Sequence, residues 1–505
     1  MKRIILILTT MLMVTSLQAQ TIYNVRNYGA VSDTTVLSTQ AIQQAIDACH
    51  QAGGGTVWVP AGKYLCTELI LKDNITFHLD NGATIYASRK VADYAASKGY
   101  AVGATDIDKA YALIRANHAK NISITGKGTL HCRAERISYQ RTPYPIAKDS
   151  VTGREVANAH KYGADYRTKY KKVPPYTGAI SIENCTNVTL RDIQVIEANG
   201  WSVHLRGCER VVADGLYIES SGKNGVNSDG LDIDGCSRVM IQNCVIDTGD
   251  DALCLKTTRN AEGKSFPCQW ITISNCVLTS SSAALKLGTE SHADFSHITV
   301  SNCVIRSANR GLNMIIRDGG KVKDIVFSNL VIDCVRKATF WWGNGDPLYF
   351  TIQKREGAEY AGSIENVTLN HIIAHGQSGV RMEGFSEHLK NIRIEDFQLF
   401  MEPEDAIDKR ARNAFLFDGV DGLKLEDCSV VWNETNVPDE WESAFLFRDV
   451  KELEIEKIDA PQAPNKRFEA IRYENVTFST PSCHPSLPSC HPERSEGSED
   501  THNKS

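Results

Sequence analysis

Two short acidic motifs in the middle of the chain have the residue types needed for acid–base chemistry. Asn227-Ser228-Asp229-Gly230 and Gly249-Asp250-Asp251 are separated by an alternating apolar run at 239–246. If the chain coils once per roughly 20 to 30 residues, the motifs lie on neighbouring coils about 4.8 Å apart. Asp229, Asp250 and Asp251 would then share one surface. Carboxylates this close repel one another unless one of them holds a proton, which is the condition that acid–base catalysis requires.

Turn formation is the simpler explanation of such motifs, because Asp and Gly tolerate turn geometry. Asp232 and Asp234 fit that explanation and are interpreted as polar residues at a strand edge. The pairing of NSDG with GDD one coil later favours a functional interpretation of Asp229, Asp250 and Asp251.

The elements that would position these acids are short strands repeating along the chain. Successive units begin at 187, 210, 238, 270, 297 and 324, so the spacing is 23 to 32 residues. No helical pattern separates the strands, and propeller blades are longer, at roughly 40 to 50 residues. The repeat therefore predicts an all-β protein built as a parallel β-solenoid.

Two residue types recur at fixed places in these units. The asparagines are predicted to stack as an amide ladder that satisfies buried turn backbone: Asn243, Asn275, Asn302 and Asn329. The cysteines that follow are predicted to be small inward-facing fillers: Cys244, Cys276 and Cys303. The chain has 15 cysteines, an odd number, and we predict no disulfide.

An amphipathic helix precedes the repeats. Ser38 or Thr39 can cap it, and Gly53-Gly54-Gly55 would end it. The apolar residues that would share one face are Ile42, Ala45, Ile46 and Cys49. We expect this helix to cover the first coil, whose apolar end and strand edges would otherwise be exposed.

The two ends of the chain differ in composition from the repeats. Residues 1–19 have a basic start, an apolar centre and small residues near a cleavage point, as in a signal peptide. Residues 481–505 are rich in Pro, Ser and charge, so a disordered tail is preferred over a zinc site at its Cys and His residues. Residues 20–480 remain as the catalytic solenoid, with an irregular segment at about 94–176 that is interpreted as a solvated loop or a groove wall.

Composition is typical of an exported protein in the periplasm or outside the cell. The net charge of −6 gives no basic bias towards nucleic acid, and no apolar run after the signal peptide is long enough to span a membrane. We expect a monomer.

These features together resemble family 28 of the glycoside hydrolases, the polygalacturonase and rhamnogalacturonan hydrolase group. The resemblance rests on the NSDG and GDD pair inside a solenoid and on the opening YGA, AIQQAIDAC and GGGTVWVPAGKY segments. It implies a right-handed parallel β-helix with an open cleft, and hydrolysis of pectic chains with inversion at the anomeric carbon. It also implies that Asp250 is the general acid, that Asp229 and Asp251 hold and deprotonate the water, and that Asn227 lies beside the substrate.

The chemistry of inversion independently requires such a set. An inverting hydrolase needs a protonated carboxyl on one side of the bond and a carboxylate on the other, roughly 6.5 to 9.5 Å away. Three neighbouring Asp residues supply both roles, so no cofactor or metal is predicted.

Two motifs of the polygalacturonases are replaced in this chain. Their Gly-His-Gly becomes Ser282-Ala283-Ala284, and their Arg-Ile-Lys, which holds the sugar carboxylate on the leaving side, becomes Asn313-Met314-Ile315. Arg317 is a partial substitute if it lies further along the same strand face. The loss of these bases favours a neutral leaving sugar, such as the rhamnose of rhamnogalacturonan.

Further substrate-binding candidates lie near the motifs. Lys256 and Lys286 are interpreted either as ligands of a sugar carboxylate or as solvated strand ends. Glu290 and His204 are weaker candidates. The predicted function is hydrolysis of galacturonate-containing pectic polysaccharide or oligosaccharide, with rhamnogalacturonan slightly favoured over polygalacturonan. The alternatives are a pectate lyase-type eliminase and a non-catalytic carbohydrate-binding solenoid.

Overall fold

The computed structural model describes residues 21–95, 110–133, 176–198, 200–220, 227–260, 262–337, 343–385, 387–405 and 409–479. The predicted signal peptide, most of the irregular segment and the predicted tail lie outside these residues. No helix within the described ranges is long and apolar enough to cross a membrane.

The chain folds as a right-handed parallel β-helix, as the resemblance implied. The strands of the described chain, numbered β1 to β34 in chain order, form two long sheets in which coil follows coil. Sheet S1 contains β1 Ile22–Asn24, β2 Gly55–Val59, β3 Gly62–Cys66, β5 Ile75–Leu79, β6 Ala83–Ala87, β8 Lys120–Gly126, β9 Thr129–His131, β11 Thr186–Arg191, β12 Gln194–Ile196, β14 Glu209–Asp214, β15 Tyr217–Glu219, β17 Ser237–Gln242, β18 Val245–Thr248, β20 Cys268–Ser274, β21 Val277–Ser280, β23 Phe295–Ala308, β25 Lys321–Cys334, β27 Ser363–Gly376, β29 Leu389–Met401, β31 Asp421–Trp432 and β33 Lys451–Asp459.

Sheet S2 carries the candidate site. It contains β4 Leu69–Ile70, β7 Ala110–Asn117, β10 Tyr176–Glu183, β13 Val203–Arg206, β16 Leu231–Asp234, β19 Leu253–Thr257, β22 Ala283–Ser291, β24 Arg310–Ile316, β26 Asp346–Ile352, β28 Val380–Glu383, β30 Phe415–Asp418, β32 Phe445–Arg448 and β34 Ile471–Glu474. All pairings between these strands are parallel, so each residue of one coil has a counterpart on the next.

The core is a continuous apolar column between the sheets. Alternate strand residues enter it, as Leu231 and Ile233 do in β16, while Asp232 and Asp234 point away from it. Ile233 pairs with Leu255 on the next coil, so apolar side chains pack on apolar side chains along the column. Each buried Leu or Ile contributes about 1.5–3 kcal/mol, so the repeat of coils stabilises the surface that carries the acids.

The recurring asparagines mark a turn with unusual backbone geometry. Asn243, Asn275, Asn302 and Asn329 have φ between 53° and 57°, a left-handed conformation that Asn tolerates better than most residues. The predicted ladder forms in part, since Asn275 Nδ2 lies 3.5 Å from Asn243 Oδ1 and Asn329 Nδ2 lies 3.2 Å from Asn302 Oδ1. The amides are exposed rather than buried, so the prediction that they serve buried backbone was wrong.

The predicted helix is α1, Thr39–Gln51, and its apolar face is buried as expected. It begins after Ser38, whose hydroxyl does not cap the helix and instead donates to the Val31 carbonyl at 3.1 Å. The helix ends at Gln51, shortly before the three glycines. Two short 3₁₀ helices, Val25–Tyr28 and Val91–Tyr94, complete the helical content of the described residues.

The cysteines predicted as fillers are buried. Cys244, Cys276 and Cys303 face the core, and every cysteine of the described residues is a buried, unpaired thiol. Burial raises the pKa of thiols such as Cys66, so these groups act as small apolar fillers.

Candidate active site

The two acidic motifs precede neighbouring strands of sheet S2. Leu231 of β16 pairs with Leu253 of β19, so Asp229 and Asp251, each two residues earlier, occupy equivalent places on adjacent coils. The Gly230 N–H donates to the Asp251 carbonyl at 2.8 Å and fixes this register. The structure therefore brings Asp229, Asp250 and Asp251 together, as the spacing predicted.

The small residues of the motifs have a packing reason. A Cβ at Gly230 would lie 2.4 Å from the Ala252 carbonyl oxygen, so no larger residue fits between the coils. Ser228 is fully buried, and its hydroxyl lies 2.7 Å from that of Ser220, which also accepts from the Gly249 N–H at 3.0 Å. One serine pair thus joins the backbones of both motifs.

Asp251 is held as a carboxylate. Its Oδ2 lies 2.6 Å from Lys286 Nζ, and its Oδ1 accepts from the Ser282 hydroxyl at 2.8 Å and the Ala283 N–H at 3.2 Å. Burial acts to raise the pKa of Asp251, but the charges of Lys286 and Lys256 and these hydrogen bonds outweigh it, so the pKa lies below its usual range.

Asp229 shares one lysine with a second carboxyl group. Lys256 Nζ lies 2.7 Å from Asp229 Oδ2 and 3.0 Å from Asp232 Oδ1, and the Trp201 ring centroid lies 3.7 Å from the same ammonium group. Burial raises the pKa of Asp229, and attraction to Lys256 offsets only part of the rise. For Asp232, which is fully buried, burial raises the pKa well above its usual range.

Asp250 has no lysine partner among the residues that the structure describes. It accepts backbone hydrogen bonds at 3.0 Å, from the Asn227 N–H to Oδ2 and from the Asp251 N–H to Oδ1. Burial, followed by repulsion from Asp229 and Asp251, raises the pKa of Asp250 well above its usual range. The three neighbouring acids therefore differ in pKa, which is raised well above its usual range at Asp250 and lowered at Asp251.

Asp232 and Asp234 are part of this cluster, so their interpretation as strand-edge residues was wrong. Asp234 Oδ2 lies 3.1 Å from His204 Nε2, and Asp234 also accepts from the Thr258 N–H and hydroxyl. Burial acts to raise the pKa of Asp234, but these hydrogen bonds lower it below its usual range. His204 is itself buried, and its ring packs edge-on against Trp201 with centroids 4.8 Å apart.

The structure overturns one of the two interpretations of the lysines. Lys256 and Lys286 are buried, with 3% and 8% exposure, so neither is a solvated strand end. Each ammonium group is paired with an acid of the cluster, and its binding of a sugar carboxylate stays a prediction. Burial lowers the pKa of each lysine, but the neighbouring carboxylates outweigh it and keep both charged.

The remaining predicted residues lie around the cluster. Asn227 is exposed beside Asp250. Glu290 Oε1 lies 3.6 Å from Arg355, and although burial acts to raise the pKa of Glu290, the charges of Lys256, Lys286 and Arg355 lower it. Arg317 follows the end of β24 instead of lying along it, and its N–H donates to the Ser291 hydroxyl. Its expected place on the strand face was therefore wrong.

Sequence reasoning missed a second cluster that begins one coil beyond Lys286. Asn313 is in register with both Lys286 and Tyr349, and its buried Oδ1 has no hydrogen-bond partner among the described residues. Tyr349 lies between two guanidinium groups, 4.4 Å from Arg310 and 4.3 Å from Arg381.

This arginine cluster contains its own acids. Asp346 lies 3.0 Å from Arg381 Nε and 3.6 Å from Arg310 Nε, and Glu383 lies 3.2 Å from Arg381 Nη1. The two guanidinium groups thus face two carboxylates on one surface. Only the parallel register could have revealed this grouping, because the residues are far apart in sequence.

The described part of the chain contains no group of three or more His, Cys, Asp and Glu residues arranged to hold a metal ion.

Comparison with known proteins agrees with this architecture. The model of the family described as glycosyl hydrolases family 28 matches residues 49–400. An exo-poly-alpha-D-galacturonosidase from Dickeya chrysanthemi is 27% identical over 256 residues, which are 46% of this chain and 41% of that protein. The match thus spans less than half the length of this curated relative.

Two solved structures share the fold. The family 28 exopolygalacturonase of Yersinia enterocolitica has a TM-score of 0.64 and 21% identity, covering 88% of this chain and 79% of its own. A hyperthermoactive exopolygalacturonase from Thermotoga maritima has a TM-score of 0.62 and 21% identity, covering 82% of this chain and 92% of its own.

Proposed function

Because the chain belongs to family 28 of the glycosyl hydrolases, we propose that it hydrolyses galacturonate-containing pectic polysaccharide or oligosaccharide with inversion at the anomeric carbon. The observation that carries this proposal is the difference in partners among three adjacent carboxyl groups. Lys286 contacts Asp251 and Lys256 contacts Asp229, whereas Asp250 accepts backbone hydrogen bonds from Asn227 and Asp251. A raised pKa at Asp250 and a lowered one at Asp251 supply an acid and a base on one surface.

In the proposed reaction Asp250 donates its proton to the glycosidic oxygen as the bond to the anomeric carbon breaks. Asp229 and Asp251 hold a water molecule on the opposite face of the sugar and accept its proton as the new bond to carbon forms. Lys286 and Lys256 position these two groups, and the charge of Lys286 keeps Asp251 ionised before the reaction. The next cycle requires Asp250 to regain a proton and the base to lose one.

The arginine cluster supports a neutral sugar on the leaving side. The family's Arg-Ile-Lys position carries Asn313, a neutral residue with an unused acceptor for a sugar hydroxyl. The two guanidinium groups of the arginine cluster, Arg310 on the coil of Asn313 and Arg381 two coils later, are paired with Asp346 and Glu383. Since little positive charge is left for a carboxylate, rhamnogalacturonan is the favoured substrate, with polygalacturonan second.

Export through the sequence at 1–19, to the periplasm or the outside of the cell, is part of the same proposal, because a pectic polymer is met outside the cytoplasm. Action as a monomer is also retained.

The decisive experiment separates the two polymers. We expect incubation with purified rhamnogalacturonan to release products with a rhamnose or galacturonate reducing end that mass spectrometry can identify. We also expect proton NMR of the first product to show the inverted anomer. Faster release from polygalacturonan would reverse the substrate order. An unsaturated product that absorbs ultraviolet light would instead indicate a lyase, and no product from either polymer would favour a non-catalytic binding solenoid.

A further inference from the structure

Sheet S1, which does not carry the acids, has a shallow depression of about 470 Å³ on its outer surface. It lies across β11, β14, β17 and β20, and its lining includes Arg210, Arg238, Met240 and Trp270. The lining contains two arginines and no acidic side chain. A surface with this composition suits an anionic ligand that also has an apolar face.

Trp270 supplies the apolar platform. Trp270 is 54% exposed. The ring stacks on His297, with centroids 4.0 Å apart and planes inclined by 20°, so one indole face is supported and held in a fixed orientation. Supported, exposed aromatic rings present a flat surface on which the apolar face of a pyranose ring can pack.

Arg210, whose partner is the neutral Asn187, supplies positive charge, and Arg238, which is paired with Glu209, supplies further hydrogen-bond donors. Arg238 contacts Glu209 through Nη1, and Arg210 donates to Asn187 Oδ1 through Nε at 2.5 Å. Within the described chain these contacts hold each side chain in place through one nitrogen. The other guanidinium nitrogens keep their donors, and a guanidinium fork matches the two oxygens of a carboxylate.

These residues form a row along the axis of the β-helix. Val211 pairs with Val239 and Val239 with Ile271, so the preceding residues Arg210, Arg238 and Trp270 occupy the same turn on successive coils. His297 continues the row one coil later. The coils are about 4.8 Å apart, so a linear ligand that crosses the depression along the axis meets Arg210 and Arg238 on successive coils and then reaches the indole face that His297 leaves uncovered.

We propose that this row, Arg210, Arg238, Trp270 and His297, is a second binding site for a uronate-containing polysaccharide, separate from the acid cluster on S2. Trp270 packs against a sugar ring, and Arg238 and Arg210 bind carboxylates of neighbouring sugars. The row ends at Asp324, whose carboxylate lies 3.7 Å from His297 Nε2 and repels an anionic chain. That the uronate polymer is a pectic one rests on the proposed function. That the ligand is an anionic polysaccharide follows from the residues of the row.

Such a site acts only on long ligands. A polymer held at the row raises the local concentration of its other segments near the cleft, whereas an oligosaccharide that fills the cleft alone gains nothing. Loss of the row therefore raises KM for the polymer and leaves kcat/KM for short oligosaccharides unchanged.

The test uses the full chain with Asp250→Asn added, so that polymer is not consumed during binding. Mobility is measured in native gels cast with polygalacturonan or with rhamnogalacturonan, and with the carboxyl-reduced form of each. We expect Trp270→Ala and the double variant Arg210→Ala/Arg238→Ala each to weaken binding to the acidic polymers by about three- to tenfold. Trp270→Phe, which keeps a ring, should bind within about twofold of its parent. The carboxyl-reduced polymers should not respond to the arginine substitutions.

Matched controls are Tyr360→Ala, which removes another exposed ring, and Arg393→Ala, which removes another exposed arginine of S1. Both should bind like the parent. Equal binding by the parent, Trp270→Ala and the double arginine variant would overturn the second site, as would failure of the parent to bind either acidic polymer. If Trp270→Ala lowers the melting temperature of the protein, polymer binding by the double arginine variant tests the second site instead.

Polymer binding at the row and hydrolysis in the cleft can fail separately. A protein that hydrolyses pectic polymer yet binds it equally with and without the row refutes the row alone. A protein that binds uronate polymer through the row but hydrolyses none refutes the proposed function alone.

Discussion

The acid cluster and the arginine cluster occupy consecutive coils of the same sheet, yet they differ in charge balance. Within the described residues of the acid cluster, the four carboxyl groups of Asp229, Asp232, Asp250 and Asp251 lie around two lysines, Lys256 and Lys286, whose charges also act on Glu290. In the arginine cluster two guanidinium groups face two carboxylates. The acid cluster is the more deeply buried of the two, and its acids outnumber its lysines.

An excess of buried carboxyl groups forces protonation, because each further negative charge is uncompensated in a poorly solvated site. The two acids with the most strongly raised pKa, Asp232 and Asp250, take up that excess. In the arginine cluster burial acts to raise the pKa of Asp346, but Arg381 and Arg310 lower it below its usual range, so the acid stays ionised. The unbalanced cluster can exchange protons, whereas the balanced one is a fixed platform.

The strongest test of this comparison removes the proton donor. Asp250→Asn keeps the shape of the side chain but has no proton to give, so we expect kcat to fall about 10³-fold while polymer binding persists. Initial rates of product release and gel retardation measure the two effects. Asp396→Asn, which changes an exposed acid, is the control. Parent-level activity of Asp250→Asn on every pectic substrate would show that the acid is elsewhere.

A second test removes one of the two lysines of the acid cluster, so that its carboxyl groups outnumber its cations still further. Lys286→Met leaves buried Asp251 without its cation, which should cost about 3–5 kcal/mol of unfolding free energy. The lowered pKa of Asp251 should rise, so Asp251 becomes protonated at a higher pH and the acidic limb of the rate profile moves upwards. Urea unfolding and the pH dependence of kcat/KM measure both. Lys286→Arg keeps the positive charge and should move the acidic limb less than Lys286→Met does. Equal shifts in the two variants would show that the charge at position 286 does not control the ionisation of Asp251.

A third test unbalances the arginine cluster. Asp346→Asn leaves Arg310 and Arg381 with excess positive charge, so we expect KM for polygalacturonan to fall several-fold relative to KM for rhamnogalacturonan. The loss of a buried pair should cost about 3 kcal/mol. Glu383→Gln is the matched control, because Glu383 contacts Arg381 alone and is more exposed. An unchanged ratio of the two KM values would mean that this cluster does not contact the leaving sugar.

The smallest expected effect concerns stability. Because the folded state raises the pKa of Asp250, the folded protein holds a proton that the unfolded chain releases above about pH 4. The stability associated with this proton is full below that pH and is lost as pH rises towards the folded pKa. Asp250→Asn avoids this loss, so its melting temperature should exceed the parent's by a margin that grows, by a few degrees, between about pH 5 and pH 8. The melting temperature of Asp396→Asn should differ from the parent's by the same amount at every pH. A difference for Asp250→Asn that is likewise independent of pH would contradict a proton held by Asp250.

Much of this protein follows from periodicity alone. The spacing of the strand units predicted the solenoid, and the solenoid predicted that Asp229 lies beside Asp250 and Asp251, because equivalent places on adjacent coils must be neighbours. The buried face of α1 and the inward cysteines followed in the same way from one-dimensional patterns. The partners of the acids did not, since a lysine at the end of a strand has the same pattern whether it is solvated or buried.

The sequence by itself determined which residues stand one coil apart, because in a parallel coil register is a matter of counting. Only the tertiary structure decided how deeply each side chain is buried and which cation it meets. Those two quantities set the charge of a carboxyl group, since desolvation and the nearest opposite charge act through space and not along the chain. They raise the pKa of Asp250 well above its usual range and lower that of Asp251 below it.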